Sequence, residues 1–258
     1  MIPIGICTDF SNLPEAHALG YDFAEVSLRA LTALSDAYFE EFAAYCEGSG
    51  IHVRAVDDLL PEGLDIVGPN VRAPELHSYL TKAFGRCRRL GVRVATLDAP
   101  LSRTVPEGCD YPLAWRQLGN FLRLCQGHAR DNGLAVAVEP LRKTECNLLN
   151  LVSEATLLSG LLQLGNVGVA ANTGAMAMAA EPVTALGQTG SSLCHVHVEH
   201  PLTRRMPREG DGEDWFKLMR VLKKQGYAGG VSVACHKTLS FTADARSALL
   251  CLRQAQRN

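Results

Sequence analysis

The sequence predicts one closed (β/α)8 TIM barrel over residues 1–258, and three observations carry that reading. Short apolar runs alternate with amphipathic stretches eight times in 258 residues, the count and length of a barrel whose strands are each followed by a helix. Six amphipathic stretches stop near a glycine just before the next apolar run, at Gly20, Gly50, Gly91, Gly133, Gly165 and Gly226. Glycine takes the left-handed conformation past a helix end with no Cβ penalty. The chain also contains neither G-x-G-x-x-G nor G-x-x-x-x-G-K-[ST], the kind of phosphate turn expected after an early strand of an open doubly wound sheet.

The strands are expected at 2–7, 23–28, 53–57, 92–97, 134–138, 167–171, 193–198 and 230–233. The helices are expected at 13–19, 35–48, 73–90, 111–132, 151–162, 181–186, 214–225 and 243–254. The first, second, third and fourth glycines end helices 13–19, 35–48, 73–90 and 111–132. Asp214 is placed as the N-cap of the helix beginning there. Asn147 and Asn150 are expected to shape the loop after the fifth strand and to cap the helix that includes Ser153 and Thr156.

Composition narrows the function classes. A hydrophobic share of 47% supports a large core, and a net charge of -2 with both signs spread along the chain does not favour nucleic acid, whose binders carry a basic patch. Arg86-Cys87-Arg88-Arg89 reads as a solvated helix face. Nine cysteines at irregular spacings, without a Cys-x-x-Cys pair, read as reduced thiols of a cytoplasmic protein. The N-terminus lacks a basic region followed by a long apolar one, so no signal peptide is expected. No apolar run approaches the roughly 20 residues that cross a bilayer, and no membrane partner is expected.

A barrel presents its chemistry at the C-terminal ends of its strands. Strand two carries Glu25, a lone charge in an apolar run, suited to a polar barrel mouth or an internal pair. Strand three ends at Asp57-Asp58 and strand four at Asp98; either can be a turn residue, Asp58 above all. Strand five ends at Glu139, which reads as a catalytic or metal-binding carboxylate or as the partner of a cation such as Arg142. Strand six ends at Asn172. Strand seven carries His195 and His197, which share one face at i, i+2, followed by Glu199 and His200. Beyond it, Arg204 and Arg205 offer guanidinium donors to a hydroxyl-rich or anionic substrate, or else are solvated loop cations.

The blocks Glu139-Pro-Leu-Arg with Glu145-Cys-Asn147, His195-Val-His197, Pro207-Arg-Glu-Gly-Asp-Gly-Glu-Asp-Trp215 and Gly226-Tyr-Ala-Gly-Gly-Val-Ser-Val233 together resemble the xylose isomerase-like barrels. That family of sugar phosphate isomerases and epimerases includes ketose 3-epimerases, hydroxypyruvate isomerases and inosose dehydratases, with the endonuclease IV group more distant. The resemblance spans nearly the whole chain. It implies a divalent cation, Mn²⁺ or Mg²⁺, held by Glu, Asp, His and Glu at the ends of strands five to eight. By position the first Glu is Glu139 and the His is His197. The Asp falls on Asn172, the His of its Asp-x-x-His pattern on Ala175, and the last Glu on Ala234.

Three carboxylates and an imidazole suit a hard dication; here Glu139 is the one carboxylate left. The metal is therefore expected to be weakly held or absent unless Asp98, Glu199, His200 or His236 moves in. The resemblance further implies proton abstraction beside a carbonyl, with Glu139 as base and His197, or else His236, as the replacement acid. The function expected is a sugar or sugar phosphate isomerase or epimerase acting on a small carbohydrate bound through Glu25, Asp98, Arg204 and Arg205. The alternative is a non-catalytic descendant that binds a sugar or a protein partner. A nuclease is disfavoured, since several metal ions need more His, Asp and Glu than remain. Barrels of this family often form homo-oligomers, and that is expected here too.

Overall fold

The computed structural model describes residues 1–234, 236 and 238–257. Eight strands, β1 (Ile4–Cys7), β2 (Phe23–Ser27), β3 (Val53–Asp57), β4 (Val94–Leu97), β5 (Ala135–Val138), β6 (Val167–Asn172), β7 (Leu193–Val198) and β8 (Gly230–Val233), pair in sequence order. All pairings are parallel, and β8 closes on β1 with Val231 opposite Ile4. The predicted barrel is what forms, and each strand lies within two residues of its expected bounds.

The helices are α1 (Leu13–Leu19), α2 (Leu28–Ala33), α3 (Asp36–Ser49), α4 (Ala73–Leu90), α5 (Pro100–Arg103), α6 (Tyr111–Asn132), α7 (Val152–Leu162), α8 (Thr173–Met178), α9 (Trp215–Lys224) and α10 (Phe241–Arg257). Gly20, Gly50, Gly91 and Gly133 cap α1, α3, α4 and α6 in the left-handed conformation, as their positions predict. Gly165 does not act this way: α7 ends earlier, and Gln163 takes the left-handed cap with φ 49°. The helix expected at 181–186 is a 3-10 segment, Val183–Gln188. Its β-branched start and Gly187 give little support to a longer α-helix. Asn147 and Asn150 shape their loop through Val105, Leu141 and Cys146, but they do not cap α7. Its free N–H groups go to carboxylates, Val152 N donating to Glu181 and Leu151 N to Glu154.

The barrel interior changes character from foot to mouth. At the foot Phe23, Ala55, Val94, Ala137 and Ala170 form a separate apolar cluster. Phe23 fits because its neighbours on β1 and β8 are glycines: a Cβ on Gly5 would lie 2.2 Å, and one on Gly230 2.6 Å, from its ring. Above this plug the interior turns polar, with Glu25, Thr96, His195 and Ser232 all buried. The main apolar core lies outside the barrel, between strands and helices. The fold thus puts a water-poor polar column directly below the strand ends that bear the site.

Candidate active site

A cavity of about 190 Å³ opens at the C-terminal ends of the strands, with Cys7, Asp57, Asp98, Glu139, Asn172 and His197 in its wall. Glu139 is held from behind. Its N–H donates to Leu97 O at 3.1 Å. The fully buried Arg103 donates to the carbonyls of Leu97, at 3.1 Å, and of Glu139, at 2.5 Å. One guanidinium thus ties together the ends of β4 and β5.

The Glu139 carboxylate meets His197 through His197 Nδ1. The other face of the ring, Nε2, lies 3.0 Å from Glu25 Oε1. Glu25 Oε2 in turn accepts from His195 Nε2 at 2.8 Å, and that nitrogen also lies 3.1 Å from Ser232 Oγ. The result is a buried column, Glu139–His197–Glu25–His195, running down the barrel axis. Burial works against charge on these groups, but each carboxylate has a histidine to hold it: Glu25 is kept well below the usual carboxylate range, and Glu139 is lowered by His197. Burial lowers the His197 pKa, yet its two carboxylate neighbours outweigh that and leave it well above the ordinary histidine value. His197 is therefore an imidazolium at neutral pH, donating from both nitrogens.

The mouth is a second ionic network. Glu199, fully buried, accepts from Arg142 Nη2 at 2.7 Å and from Arg204 Nε at 3.4 Å. Arg204 also pairs with Glu145, and its Nη2 lies 2.6 Å from His236 Nε2. Gly174 makes room for this network: a Cβ there would lie 2.7 Å from Glu199 Cγ and 2.9 Å from Arg142 Nη2. Arg142 thus pairs with Glu199, not Glu139. Arg204 reaches the cavity, but with its guanidinium shared among protein partners. Arg205 is exposed on the loop and does not line the cavity.

Two further carboxyls face the cavity, and neither is ion-paired with an arginine or lysine among the described residues. Asp98 accepts from Ala99 N at 2.7 Å, and burial, aided by the charge of Glu139, pushes its pKa up to about 6. Asp57 is raised well above the usual range by burial and then by Glu25 and Asp98. Asp58, in contrast, is a loop residue bound to Ser27 and Arg29. The site thus sets one ionised carboxylate, Glu139, beside two carboxyls driven toward the neutral acid. Such a separation of pKa values is how acid and base roles are divided in one pocket.

The match to protein families follows this geometry. The model of the xylose isomerase-like TIM barrel matches residues 13–255. The chain belongs to that family. No curated protein sequence matches it. Among solved structures it is similar to a D-psicose 3-epimerase from Clostridium cellulolyticum H10 bound to D-tagatose. That pair has 20% identity and a TM-score of 0.87, covering 99% of each chain. A 3-keto-D-glucoside 4-epimerase from E. coli shares 17% identity at a TM-score of 0.83, over 98% of this chain and 100% of that one. An L-ribulose 3-epimerase shares 19% at 0.84, over 100% and 96%. At such identities the likeness establishes the fold.

The family resemblance places a hard dication among Glu139, Asn172, His197 and position 234. The residues present do not fit it. Asn172 Oδ1 accepts from Ala175 N at 3.0 Å, capping α8, while its Nδ2 faces Glu139 Oε1 at 3.4 Å. Flipping the amide would set donor against donor at the cap, so the group turned toward Glu139 is an NH₂, which cannot ligate. Ala234 has no donor atom. Among the substitutes expected from sequence, Glu199 is taken by arginines, and the His200 ring by Asp211 O and loop N–H groups. His236 is engaged by Arg204, and Asp98 stands alone. Sequence reasoning missed Cys7 and Arg103: the first sits in an ordinary apolar strand, the second in a one-turn helix with no periodicity.

Proposed function

We propose that the chain is a sugar isomerase or epimerase that removes a proton from the carbon beside a ketose carbonyl, with Glu139 as the base. The observation that carries this reading is Glu139 itself: an ionised carboxylate, 4% exposed, aimed into a cavity and fixed at its carboxylate by His197 and at its backbone by Arg103. A base held in place before substrate arrives needs little reorganisation during reaction. His197 Nδ1–H keeps Glu139 anionic until Glu139 takes the proton and becomes the neutral acid. Asp57, held toward the neutral acid, is a hydrogen-bond donor for the enediolate oxygen that forms as the proton leaves, and Asp98 joins it below about pH 6. No step requires the family's hard dication.

The substrate is an uncharged ketose in preference to a sugar phosphate. Both guanidinium groups at the mouth, Arg142 and Arg204, are neutralised by Glu199 and Glu145. Among the described residues of the wall, carboxyls outnumber cations, so a phosphate would meet repulsion there. Incubating a panel of ketopentoses and ketohexoses with the protein in D₂O tests this directly. Deuterium entering the carbon beside the carbonyl is the expected result; no incorporation from any member overturns it.

A binding role without turnover has specific support in Asn172 and Ala234, where the family's acidic ligands are gone. In that case ketoses raise the melting temperature of wild type and of Glu139→Gln alike, and deuterium enters neither.

A further inference from the structure

Three ligand-type atoms converge one layer below the cavity floor. They belong to Cys7 on β1, Glu25 on β2 and His197 on β7, and all lie within 4.8 Å of one another. The set differs from the family's in donor type and in position. On the Nε2 side of the His197 ring, away from Glu139, lies Glu25 Oε1 at 3.0 Å, and the thiol comes from a strand that supplies none of the family ligands. We infer that Cys7 Sγ, Glu25 Oε1 and His197 Nε2 form a binding site for a borderline-soft divalent cation of the Zn²⁺ type.

The spacing fits such an ion. Ligand atoms about 2.0–2.3 Å from a tetrahedral ion stand roughly 3.3–3.7 Å apart. His197 Nε2 and Glu25 Oε1 are 3.0 Å apart, and Cys7, Glu25 and His197 each offer a donor atom within 4.8 Å of the others, so shifts of about an ångström bring all three onto one centre. The surroundings fit as well. His197 keeps its Nδ1–H on Glu139, the carboxylate–histidine–metal arrangement that fixes the tautomer of a ligating ring. Glu25 keeps its other oxygen on His195 Nε2, at 2.8 Å. Three protein ligands leave a fourth position, the hallmark of a catalytic rather than a structural zinc site. Cys7 and His197 both line the cavity.

A thiolate and a neutral imidazole nitrogen are the forms that ligate, so uptake of the metal releases protons and strengthens as pH rises. A thiolate selects against Mg²⁺ and Mn²⁺ and for Zn²⁺ or Co²⁺.

The test is Co²⁺ titration of the chelator-treated full chain, followed by near-ultraviolet absorption for the thiolate-to-Co²⁺ charge-transfer band. One Co²⁺ per chain with that band, displaced by Zn²⁺, is expected. Cys7→Ser should abolish the band and weaken Co²⁺ binding by at least about 100-fold, while Cys194→Ser leaves both unchanged. X-ray absorption on the Zn²⁺-loaded wild type needs no variant to fold, and it should find one sulfur at about 2.3 Å. No Co²⁺ uptake, uptake without the thiolate band, or a zinc shell of nitrogen and oxygen alone overturns the inference. These readouts do not depend on turnover, so they stand or fall apart from the proposed reaction.

Discussion

His197 takes its character from neighbours that lie far away in sequence, Glu25 at one nitrogen and Glu139 at the other. The sequence marks all three as singular: a lone Glu in an apolar strand, a Glu ending another, and a His–x–His pair. Nothing in it says that they touch. Cys7 and Arg103 carry no such mark, because a cysteine in an apolar run and an arginine in a one-turn helix are commonplace; only barrel closure brings them to the site. Asp98 was legible as a strand end, but its acidity depends on burial and on Glu139. Its folded pKa of about 6 lies above the unfolded value of about 3.9. The native state therefore holds the extra proton, and ionising Asp98 costs stability as pH rises from about 4 to about 6, a loss that persists above. Asp98→Asn keeps the acceptor for Ala99 N and removes that cost. The variant should gain on wild type by roughly 5–9 °C in Tm between pH 4 and pH 7; an equal difference at both pH values contradicts the assignment. Asn172→Asp with Ala234→Glu tests the other residue-scale argument. It restores the family's oxygen donors, so Mn²⁺ should raise the Tm of the double variant more than that of wild type. An equal Mn²⁺ response means those two positions are not what limits hard-cation binding.

At the scale of elements, the strands and long helices were readable because periodicity, glycine stops and length agree there. The misses have a common cause. The helices α2, α5 and α8 span 6, 4 and 6 residues, too short to show a 3.6-residue period. Two of them are capped by the last residue of the strand before, Ser27 for α2 and Asn172 for α8. Gly165 looked like a cap because a strand follows it, but Gln163 had already turned the chain. The short α8 matters beyond its length, since it packs against the buried Glu199–Arg142 pair at Gly174. Gly174→Ala should cost about 1–3 kcal/mol through overpacking against that pair, read as a lower denaturant midpoint with unchanged slope. A neutral result would mean that Glu199 and Arg142 can give way and that the mouth is softer than its ion pairs suggest.

For the whole molecule, eight β–α units in one chain length specify the barrel almost by counting, and the barrel fixes which end carries chemistry. The family follows from the fold and the sequence blocks together. What the chain does with the site is less legible, because two of the family's four ligand positions hold Asn172 and Ala234 while the base position keeps Glu139. The structure relates these facts: Asn172 serves α8, the cavity holds an anionic carboxylate beside carboxyls raised toward the neutral acid, and the deeper column offers a different set of donors. If Glu139 takes the proton from the substrate, isotope exchange depends on its carboxylate, and Glu139→Gln removes it. With the ketose of highest exchange in wild type, Glu139→Gln should lose deuterium incorporation by roughly 10²–10⁴-fold while still binding that ketose and melting cooperatively. Exchange at the wild-type rate in a folded Glu139→Gln would contradict the account.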